Sequence, residues 1–500
     1  MHGRLSLKAP FMLKDFSISI IRTLREHGHQ AYLVGGCVRD LLLGREPADY
    51  DITTDATPKE VMRIFPQTYA VGAQFGVVLV PLPKSESVSP SERSHSQKTP
   101  STFQQSNPVI SSEAETSPSE VSAQSRDLVL PSPSTKANTV EVATFRSDIG
   151  YSDGRHPDQV RFSKSPEEDV QRRDFTINGL LLDPITNEVL DFVGGRRDLD
   201  AKIIRTIGDP AQRFAEDKLR MLRAVRFAAR FHYSIEPKTL NAIQQLAPQI
   251  HQVSRERVRD ELTKMLTEGH AGLAFRLLAQ SGLLKEVLPE IEKMKGVEQP
   301  PQFHPEGDVF IHTLLLLEKL PQPCPPTLAW GALLHDVGKP PTFRVAPDRI
   351  RFDGHVEVGV KMAEEICRRL RFSNDDTEQV LALVNNHMRF ASVQQMKDST
   401  FKKFVRMPKF DEHLALHRID CLSSHGDLTP YNFTREKIAS MPPEAVRPAP
   451  LITGEDLIAA GYLPGPRFKE ILTAVEDAQL EGRLNDSVEA MKLVRQEFPL

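Results

Sequence analysis

The sequence predicts an α+β protein in which a small mixed sheet near the N-terminus is followed by a long helical remainder. Two observations lead to this prediction. Short apolar runs typical of strands recur from Ala31 to Phe192, separated by Gly, Pro and polar residues. After about residue 200, apolar residues instead recur at the spacing of helices, and this pattern continues towards the C-terminus.

The elements of the sheet region follow one another in a regular order. A helix over 16–27 carries Ile18, Ile21 and Leu24 at helical spacing. Thr57, Pro58 and Glu60 have the pattern of a helix start with a capping box. The predicted strands are 31–34, 50–53, 76–80, 140–145, 180–182 and 189–192.

The bulk composition limits the classes of function. Five hundred residues exceed one hydrophobic core, so we expect three or four domains. A net charge of -4 argues against a chain that coats nucleic acid everywhere, so RNA contact requires a local basic patch. No signal sequence and no membrane-length apolar run is recognisable, which makes the cytoplasm the expected location. The cysteines show no paired spacing, so we expect neither disulfides nor a zinc site: Cys37, Cys324, Cys367 and Cys421.

Two glycines and two aspartates dominate the first half of the sheet region. A strand over 50–53 would point Asp49 and Asp51 to the same face, where two carboxylates repel each other unless a cation joins them. Mg²⁺ is held by such carboxylates, waters and substrate phosphates. Gly35 and Gly36 would let a backbone approach a triphosphate closely. The pattern indicates metal-assisted nucleotidyl transfer, although a simple turn and a solvated loop are the ordinary interpretations of each fragment alone.

In their order, Gly35-Gly36-x-Val-Arg39-Asp and Asp49-x-Asp51 resemble the head of the class II tRNA nucleotidyltransferase and bacterial poly(A) polymerase family. The string Arg172-Arg-Asp-Phe-Thr-Ile-Asn178 matches another motif of this family. The resemblance implies a polymerase-β-like head that uses Mg²⁺. It implies metal-binding and catalytic roles for Asp49 and Asp51, and a third acid near the metal at Glu141. It implies triphosphate binding by Gly35, Gly36, Arg39 and Arg173.

The segment over 83–138 interrupts the sheet region. It consists mainly of Ser, Pro, Thr, Gln and Glu, and such a segment cannot bury enough apolar surface to offset its ordering entropy. We expect a disordered insert at a hairpin tip, with a weak strand near Leu128, because the flanking strands look continuous without it. The polar stretch 146–155 should be a mobile loop, which the family uses when it switches from cytidine to adenosine addition.

One strong helix is predicted over 214–231. Asp217, Arg220, Arg223 and Arg226 follow at steps of three, away from an apolar stripe. An exposed row of ion pairs is the ordinary interpretation. The family resemblance instead implies that Asp217 and Arg220 choose the base, with Arg223 and Arg226 near the phosphates or ribose. A carboxylate accepts from an exocyclic amine while a guanidinium donates to a ring acceptor, a pattern that suits cytosine and adenine. Arg257 on a later helix should support the fold.

A second constellation follows His304-Pro-Glu306. An ordered series of histidines and aspartates on helical segments resembles the HD phosphohydrolase domain: His312, His335, Asp336, His355, His387 and Asp420. The resemblance implies one divalent ion at His312, His335, Asp336 and Asp420, a second at His355 and His387, and a phosphate contact from Lys339. The ion would be Mn²⁺, Ni²⁺ or Co²⁺, or else Mg²⁺. Phosphatase, 2′-nucleotidase and cyclic-phosphodiesterase activities are associated with such units, and a degenerate structural domain is the alternative.

Together the motifs predict a head over 1–200, a helical neck and body over 201–295, an HD domain over 300–430 and a helical tail over 448–500. The predicted function is template-independent addition of CCA to tRNA from CTP and ATP, with phosphohydrolase activity in the HD domain and no membrane partner. Two alternatives stay open. One is a poly(A) polymerase or A-adding enzyme of the same fold, and the other is a phosphohydrolase whose head only binds RNA.

Overall fold

A mixed sheet organises the first part of the chain. The computed structural model describes residues 9–70, 75–83, 138–150, 158–302, 304 and 307–500. The strands are β1 (Ala31–Val34), β2 (Asp51–Thr54), β3 (Val77–Pro81), β4 (Thr139–Thr144), β5 (Arg146–Ile149), β6 (Gln159–Phe162), β7 (Leu180–Asp183), β8 (Glu188–Asp191), β9 (Ile203–Ile204), β10 (Ser234–Ile235), β11 (Arg344–Val345) and β12 (Ile350–Arg351). Six of them form one sheet in the order β3-β4-β2-β1-β7-β8.

The register of this sheet sets two acids side by side. β2 pairs in parallel with β4, and Asp51 lies opposite Glu141. The other pairs of the sheet are antiparallel. Its central strands are apolar because helices cover them, and Leu33, Ile52 and Val142 are each at most 1% exposed.

The sheet belongs to the first of two compact units, which comprises Met1–Asp148, Val160–Arg172 and Leu180–Phe192. Its helices are α1 (Ala9–Glu26), α2 (Gly36–Leu42), α3 (Pro58–Ile64) and α4 (Pro166–Gln171). α1 buries Ile20, Ile21 and Leu24, which confirms the predicted amphipathic helix. The capping box predicted at Thr57 and Glu60 is also present.

The second unit is helical apart from short strands, and it comprises Ile149–Gln159, Arg173–Gly179 and Val193–Leu500. Its helices are α5 (Gly195–Asp200), α6 (Pro210–Glu216), α7 (Leu219–Phe231), α8 (Pro237–Leu246), α9 (Arg255–Thr267), α10 (Ala271–Gln280), α11 (Leu283–Val287), α12 (Pro289–Glu292), α13 (Val309–Leu317), α14 (Pro326–Leu334), α15 (Lys339–Thr342), α16 (His355–Arg369), α17 (Asn374–Asn386), α18 (Asp398–Val405), α19 (Phe410–Ser423), α20 (Thr429–Ser440), α21 (Pro443–Val446), α22 (Gly454–Ala459), α23 (Pro466–Leu480) and α24 (Ser487–Glu497). The mixed sheet and this helical remainder confirm the predicted α+β class.

Several predictions of local structure need correction or lie outside the described residues. Arg146–Ile149, predicted as part of a mobile loop, is a strand because it pairs with Gln159–Phe162. The rest of that loop over 151–155, and the insert apart from its two ends, lie outside the described residues. None of the described helices is long and apolar enough to cross a membrane.

Polar anchors join the helices of the second unit. Trp330 of α14 is fully buried and donates from Nε1 to Thr263 Oγ1 of α9 at 2.9 Å. Arg369 of α16 donates to both carboxylate oxygens of Glu290 of α12, at 2.6 and 2.8 Å. A buried indole needs such a partner, and a forked guanidinium pair is directional, so these contacts fix how the helices pack.

Gly331 of α14 allows close approach of α17. A Cβ at this position would lie 2.6 Å from Leu383 Cδ1 and 2.9 Å from Leu383 Cβ. We expect Gly331→Ala to destabilise the protein by about 1 kcal/mol in urea unfolding, because overpacking costs about 1–3 kcal/mol and the better helix propensity of Ala returns only part of it. Gly454→Ala, whose Cβ would meet Phe468 at 3.6 Å, is the matched control and should not destabilise. Equal stability of the Gly331 variant and the wild type would contradict the packing argument.

Candidate functional site

The glycine turn of the head lies between β1 and α2. Gly35 has φ of 78°, a left-handed conformation that favours glycine, and its N–H donates to Leu180 O at 3.2 Å. Arg39 is 4% exposed, and its guanidinium lies 2.8 Å from the Asp40 carboxylate. The structure therefore holds Arg39, a predicted triphosphate contact, in a fixed position beside the turn.

The acidic residues of the head lie at one end of β2 and on β4. Asp51 begins β2 opposite Glu141, so both side chains point to the same face. Asp49 lies outside the strand, which begins later than predicted, and buried Tyr50 separates the two aspartates. The oxygen-only donor set fits Mg²⁺.

Cys37 lies beside these acids and was not singled out from the sequence. Its Sγ is 3.2 Å from Val34 O and 3.8 Å from Asp51 O. Burial and the negative charge of Asp51 raise the pKa of Cys37 to about 12. It therefore stays a thiol at neutral pH and is a packing residue, not a nucleophile. A single cysteine in an apolar run gives no sequence signal for this contact.

In the second unit, Asp174 of the Arg-Arg-Asp motif is anchored by the helix that carries the arginine row. Asp174 Oδ2 accepts from Arg223 Nε at 2.9 Å and from Arg223 Nη2 at 2.7 Å. Asn178 donates to Asp174 Oδ1 at 3.0 Å. Burial raises the pKa of Asp174, but the Arg223 ion pair and the Asn178 hydrogen bond outweigh it and lower the pKa to about 2. Arg213 donates to the backbone oxygen of Arg173 at 2.7 Å.

The prediction of one helix over 214–231 is wrong. α6 ends at Glu216, and Asp217 has extended backbone angles, φ -143° and ψ 105°, before α7 begins at Leu219. The Asp217 carboxylate accepts from the N–H of Leu219 at 3.0 Å and from Arg257 Nη2 at 2.9 Å. An acceptor side chain satisfies a backbone donor at a helix start, which explains why the helix breaks here. Arg257 thus holds Asp217 in place.

The arginines of α7 are not an exposed row of ion pairs. Arg220 and Arg226 are 9% and 6% exposed. Arg220 Nη1 donates to Glu216 Oε2 at 2.6 Å and to Arg213 O at 3.0 Å. Arg226 bonds to Glu261 at 2.7 Å and Glu268 at 3.1 Å. Arg223 and Arg226, predicted near phosphates or ribose, are therefore placed against carboxylates of their own unit.

The histidines and aspartates of the HD series converge in the second unit. His312 lies on α13, His335 and Asp336 follow α14, His355 begins α16, His387 follows α17, and Asp420 lies on α19. Among the described residues, two groups of three have ligand atoms within 4.8 Å of one another, and both lie here: His312, His335 and Asp420, and Asp336, His355 and His387.

Asp336 lies between the two groups. Its Oδ2 is 3.2 Å from His335 Nε2 and 3.9 Å from His312 Nε2. Its Oδ1 is 3.9 Å from His355 Nε2 and 3.8 Å from His387 Nε2. The sequence predicts that Asp336 holds the first ion alone, whereas its two oxygens face different histidines, as a carboxylate shared by two ions would.

The hydrogen bonds behind the histidines favour metal binding. Nδ1 of His335, His355 and His387 contacts the backbone oxygen of the residue three positions earlier, at 2.9, 3.0 and 2.7 Å. This partner fixes the tautomer and turns Nε2 towards the carboxylates. Within the described chain, the buried Nε2 atoms of His355 and His387 have no hydrogen-bond partner. The side chains therefore fit a pair of divalent ions.

The surroundings of this centre favour an ionised Asp336 and a neutral His387. Burial raises the pKa of Asp336, but the charges of His335 and Lys339 hold the pKa well below its usual range. Burial and the charge of His335 lower the pKa of His387 to about 4. Both protonation states are those required of metal ligands at neutral pH.

Family models match most of these regions. The "Poly A polymerase head domain" matches residues 31–132 and 115–205, the "Probable RNA and SrmB- binding site of polymerase A" matches 232–295, and the HD domain matches 308–424. The CCA-adding enzyme of Bacillus licheniformis is 36% identical over 279 residues, which are 56% of each chain, so the match spans about half of that relative's length.

Two further relatives align along nearly the whole chain. The CCA-adding enzyme of Lactobacillus helveticus is 28% identical over 95% of both chains. The crystal structure of the Bacillus stearothermophilus CCA-adding enzyme in complex with CTP is 26% identical, has a TM-score of 0.68, and covers 98% of this chain and 99% of its own.

The fold and the two centres define a nucleotidyltransferase head joined to an HD domain, and both kinds of domain use divalent metal ions. The chain has a poly(A) polymerase head domain, the RNA-binding region and an HD domain, and it is similar to CCA-adding enzymes along nearly its whole length, which confirms the predicted resemblance.

The Asp174–Arg223 ion pair should make the free energy of unfolding depend on pH. We expect Asp174→Asn to lower the free energy of unfolding by about 3 kcal/mol at neutral pH, because the Arg223 charge then loses its buried partner. The folded-state pKa of about 2 lies below the unfolded value of ~3.9. The stabilisation that the ionised Asp174 gives the folded state is therefore fully present above pH ~4 and is lost as the pH falls through about 2.

Urea unfolding of the wild type and the variant at pH 7, 5 and 3 measures this difference. Asp348→Asn, which removes an exposed partner of Arg351, is the control and should show no comparable loss. A wild-type advantage that grows as the pH falls from 5 to 3 would be incompatible with the lowered pKa.

Proposed function

We propose that the chain adds cytidine and adenosine to the 3′ end of tRNA, from CTP and ATP, without a nucleic-acid template. This proposal rests on the register of β2 and β4, which places Asp51 beside Glu141. The Gly35 turn follows β1, the strand that pairs with β2 on its other side. The relative solved with CTP aligns along 98% of the chain, which supports a nucleoside triphosphate as the substrate.

Asp49, Asp51 and Glu141 would hold Mg²⁺ in the head. When bound, the metal lowers the pKa of the RNA 3′-hydroxyl and neutralises charge on the leaving pyrophosphate. The turn at Gly35 and Gly36 brings backbone N–H groups towards the triphosphate, and a side chain there would block the approach. Arg39 and Arg173 would neutralise the phosphates.

Asp217 and Arg220 would choose the base. The Asp217 carboxylate accepts from the amino group of cytosine or adenine, while Arg220 donates to a neighbouring ring acceptor. Uracil and guanine present the reverse pattern and would leave buried groups unpaired, at a cost of roughly 1–3 kcal/mol each. Arg257 and Glu216 act through these residues as positioning groups. The carboxylate partners of Arg223 and Arg226 support a positioning role for them too.

The HD region would be a metal-dependent phosphohydrolase. His312, His335 and Asp420 would hold one divalent ion, His355 and His387 a second, and Asp336 would be shared. A metal pair supplies activated water and stabilises the leaving oxygen. Four imidazoles favour Mn²⁺, Ni²⁺ or Co²⁺ over Mg²⁺, which prefers oxygen ligands.

The family name also covers poly(A) polymerases. Its head and RNA-binding descriptions both refer to polymerase A, which keeps poly(A) addition as a second candidate. Transfer RNA that lacks its 3′ CCA, and an unstructured RNA of equal length, separate the two when each is offered CTP and ATP. Addition of three nucleotides to tRNA supports CCA addition, and long A-tails on unstructured RNA support the second candidate.

Separate loss of the two activities tests the assignment of the centres. We expect Asp51→Ala to reduce nucleotide addition to tRNA by about 10³-fold and to leave Mn²⁺-dependent hydrolysis of p-nitrophenyl phosphate unchanged. His335→Ala should do the opposite, because it removes an HD ligand and no group of the head. If Asp51→Ala left addition intact, Asp51 would not be a ligand of the transfer reaction. If the wild type hydrolysed the ester but added no nucleotide, the head would be an RNA-binding module and the HD hydrolase would be the enzyme.

Base choice is testable at Asp217. We expect Asp217→Asn to lower the ratio of kcat/KM for CTP to that for UTP by about 10-fold or more, because the amide presents a donor where cytosine needs an acceptor. The assay is single-nucleotide extension of tRNA that lacks its 3′ end. Asp260→Asn, an exposed partner of Arg259 on α9, is the control. An unchanged ratio together with a reduced rate would show that Asp217 supports folding only.

A further inference from the structure

Lys339 is held in the HD centre by contacts on several sides. Its ammonium lies 2.7 Å from Asp336 Oδ2 and 2.6 Å from Gln299 Oε1. It also lies 5.4 Å from the centre of the Phe352 ring. Lys339 is 7% exposed, yet it lines a cavity of about 490 Å³ together with His304, His355 and Asp420. The charge is therefore fixed at the wall of a cavity whose size suits a small phosphorylated ligand.

Gln299 is the residue of this arrangement that no motif contains. It is 2% exposed, and its backbone N–H donates to Gly307 O at 2.7 Å. An ammonium only donates, so Oε1 must be the amide atom that faces Lys339. The amide nitrogen Nε2 then points away from the Lys339 ammonium. It is buried, and it has no hydrogen-bond partner among the described residues.

A buried amide donor without a partner costs free energy, so such a group calls for an explanation. The Lys339 ammonium contacts the same amide and attracts anions. An anion that meets Lys339 would also bring an acceptor oxygen into the neighbourhood of the Gln299 amide. The oxygens of a phosphate group are acceptors of this kind, and phosphate is the group that a metal-dependent phosphohydrolase must hold.

We propose that Gln299 and Lys339 form an anion clamp of the HD centre. Gln299 positions the Lys339 ammonium through Oε1 and donates its Nε2–H to an oxygen of a bound phosphate group. This inference rests on the proposed hydrolase function and adds Gln299 to its binding groups. The clamp is separate from the metal ligands, because Lys339 and Gln299 bind the anion and not the ions.

Two substitutions separate the roles of the two amide atoms. Gln299→Glu keeps the shape and an acceptor for Lys339, but it replaces the N–H donor with an anionic oxygen. Gln299→Leu removes both polar atoms at similar volume. Gln379→Leu is the matched control, because Gln379 is likewise buried in the HD region and donates to Glu412 at 3.3 Å.

The first measurement is calorimetric binding of inorganic phosphate to the full chain loaded with Mn²⁺. We expect both Gln299 variants to bind phosphate at least 10-fold more weakly than the wild type, and Gln379→Leu to bind it as the wild type does. Phosphate bound at the head is common to all four proteins, so only differences between them are interpreted. The second measurement is hydrolysis of p-nitrophenyl phosphate, where KM should rise more than kcat falls.

The outcomes decide between the clamp and a structural role. Wild-type phosphate affinity in Gln299→Glu would overturn the clamp, because the N–H donor would then be dispensable. Equal weakening in Gln379→Leu would also overturn it, because any buried glutamine would then have the same effect. If the wild type hydrolyses no phosphate ester, but Gln299→Leu and Gln299→Glu still lose phosphate affinity, the hydrolase function fails while the clamp stands.

Discussion

Buried carboxylates that neighbouring guanidinium groups keep ionised are the interaction on which the second unit depends. Asp174 shows the constraint most clearly, because burial alone would favour its neutral form and Arg223 reverses this. The same guanidinium row then meets Glu261 and Glu268. Removing one member leaves an uncompensated buried charge, which is far more costly than losing an exposed pair. The motif residue Arg173 precedes Asp174, so the Asp174–Arg223 ion pair also fixes the backbone position of Arg173.

The residues proposed to choose the base are also held by contacts within the second unit. Asp217 ends one helix and caps the next, while Arg257 holds its second oxygen. Arg220 is held through Glu216. Groups that are already fixed would lose little entropy when a base binds, so their hydrogen-bond pattern would discriminate between bases instead of adapting to them.

The two centres of the chain differ in donor chemistry. The head offers carboxylates from neighbouring strands, which suits a hard cation that is partly held by substrate phosphates. The HD centre offers imidazoles whose Nδ1 atoms are bound to backbone oxygens, which suits transition metals. Under the proposed functions, one chain would carry a nucleotide-joining site and a phosphate-cleaving site with different metal preferences.

Much of the fold followed from local patterns, whereas the geometry of the sites did not. The strand at Ala31, the helix around Ile21 and the cap at Thr57 depend on short-range spacing, so the sequence predicted them. The break at Asp217 was missed because the apolar spacing of a helix continues through this position, and the contact that holds Asp217 comes from Arg257, forty positions away. The ligand residues of the HD centre could be listed from the sequence, but the position of Asp336 between the two groups requires tertiary structure. No sequence motif contains Gln299, because its proposed role depends on a contact with Lys339, which is distant in sequence.

The central claim is that side chains, and not a complementary strand, choose the base. A crystal structure of this chain with CTP, Mg²⁺ and a tRNA acceptor that lacks its 3′ end tests it most directly. We expect the Asp217 carboxylate to accept from the cytosine amino group and Arg220 to donate to a ring acceptor of the same base. Cytosine bound elsewhere, with the Asp217 carboxylate directed to bulk water, would contradict it.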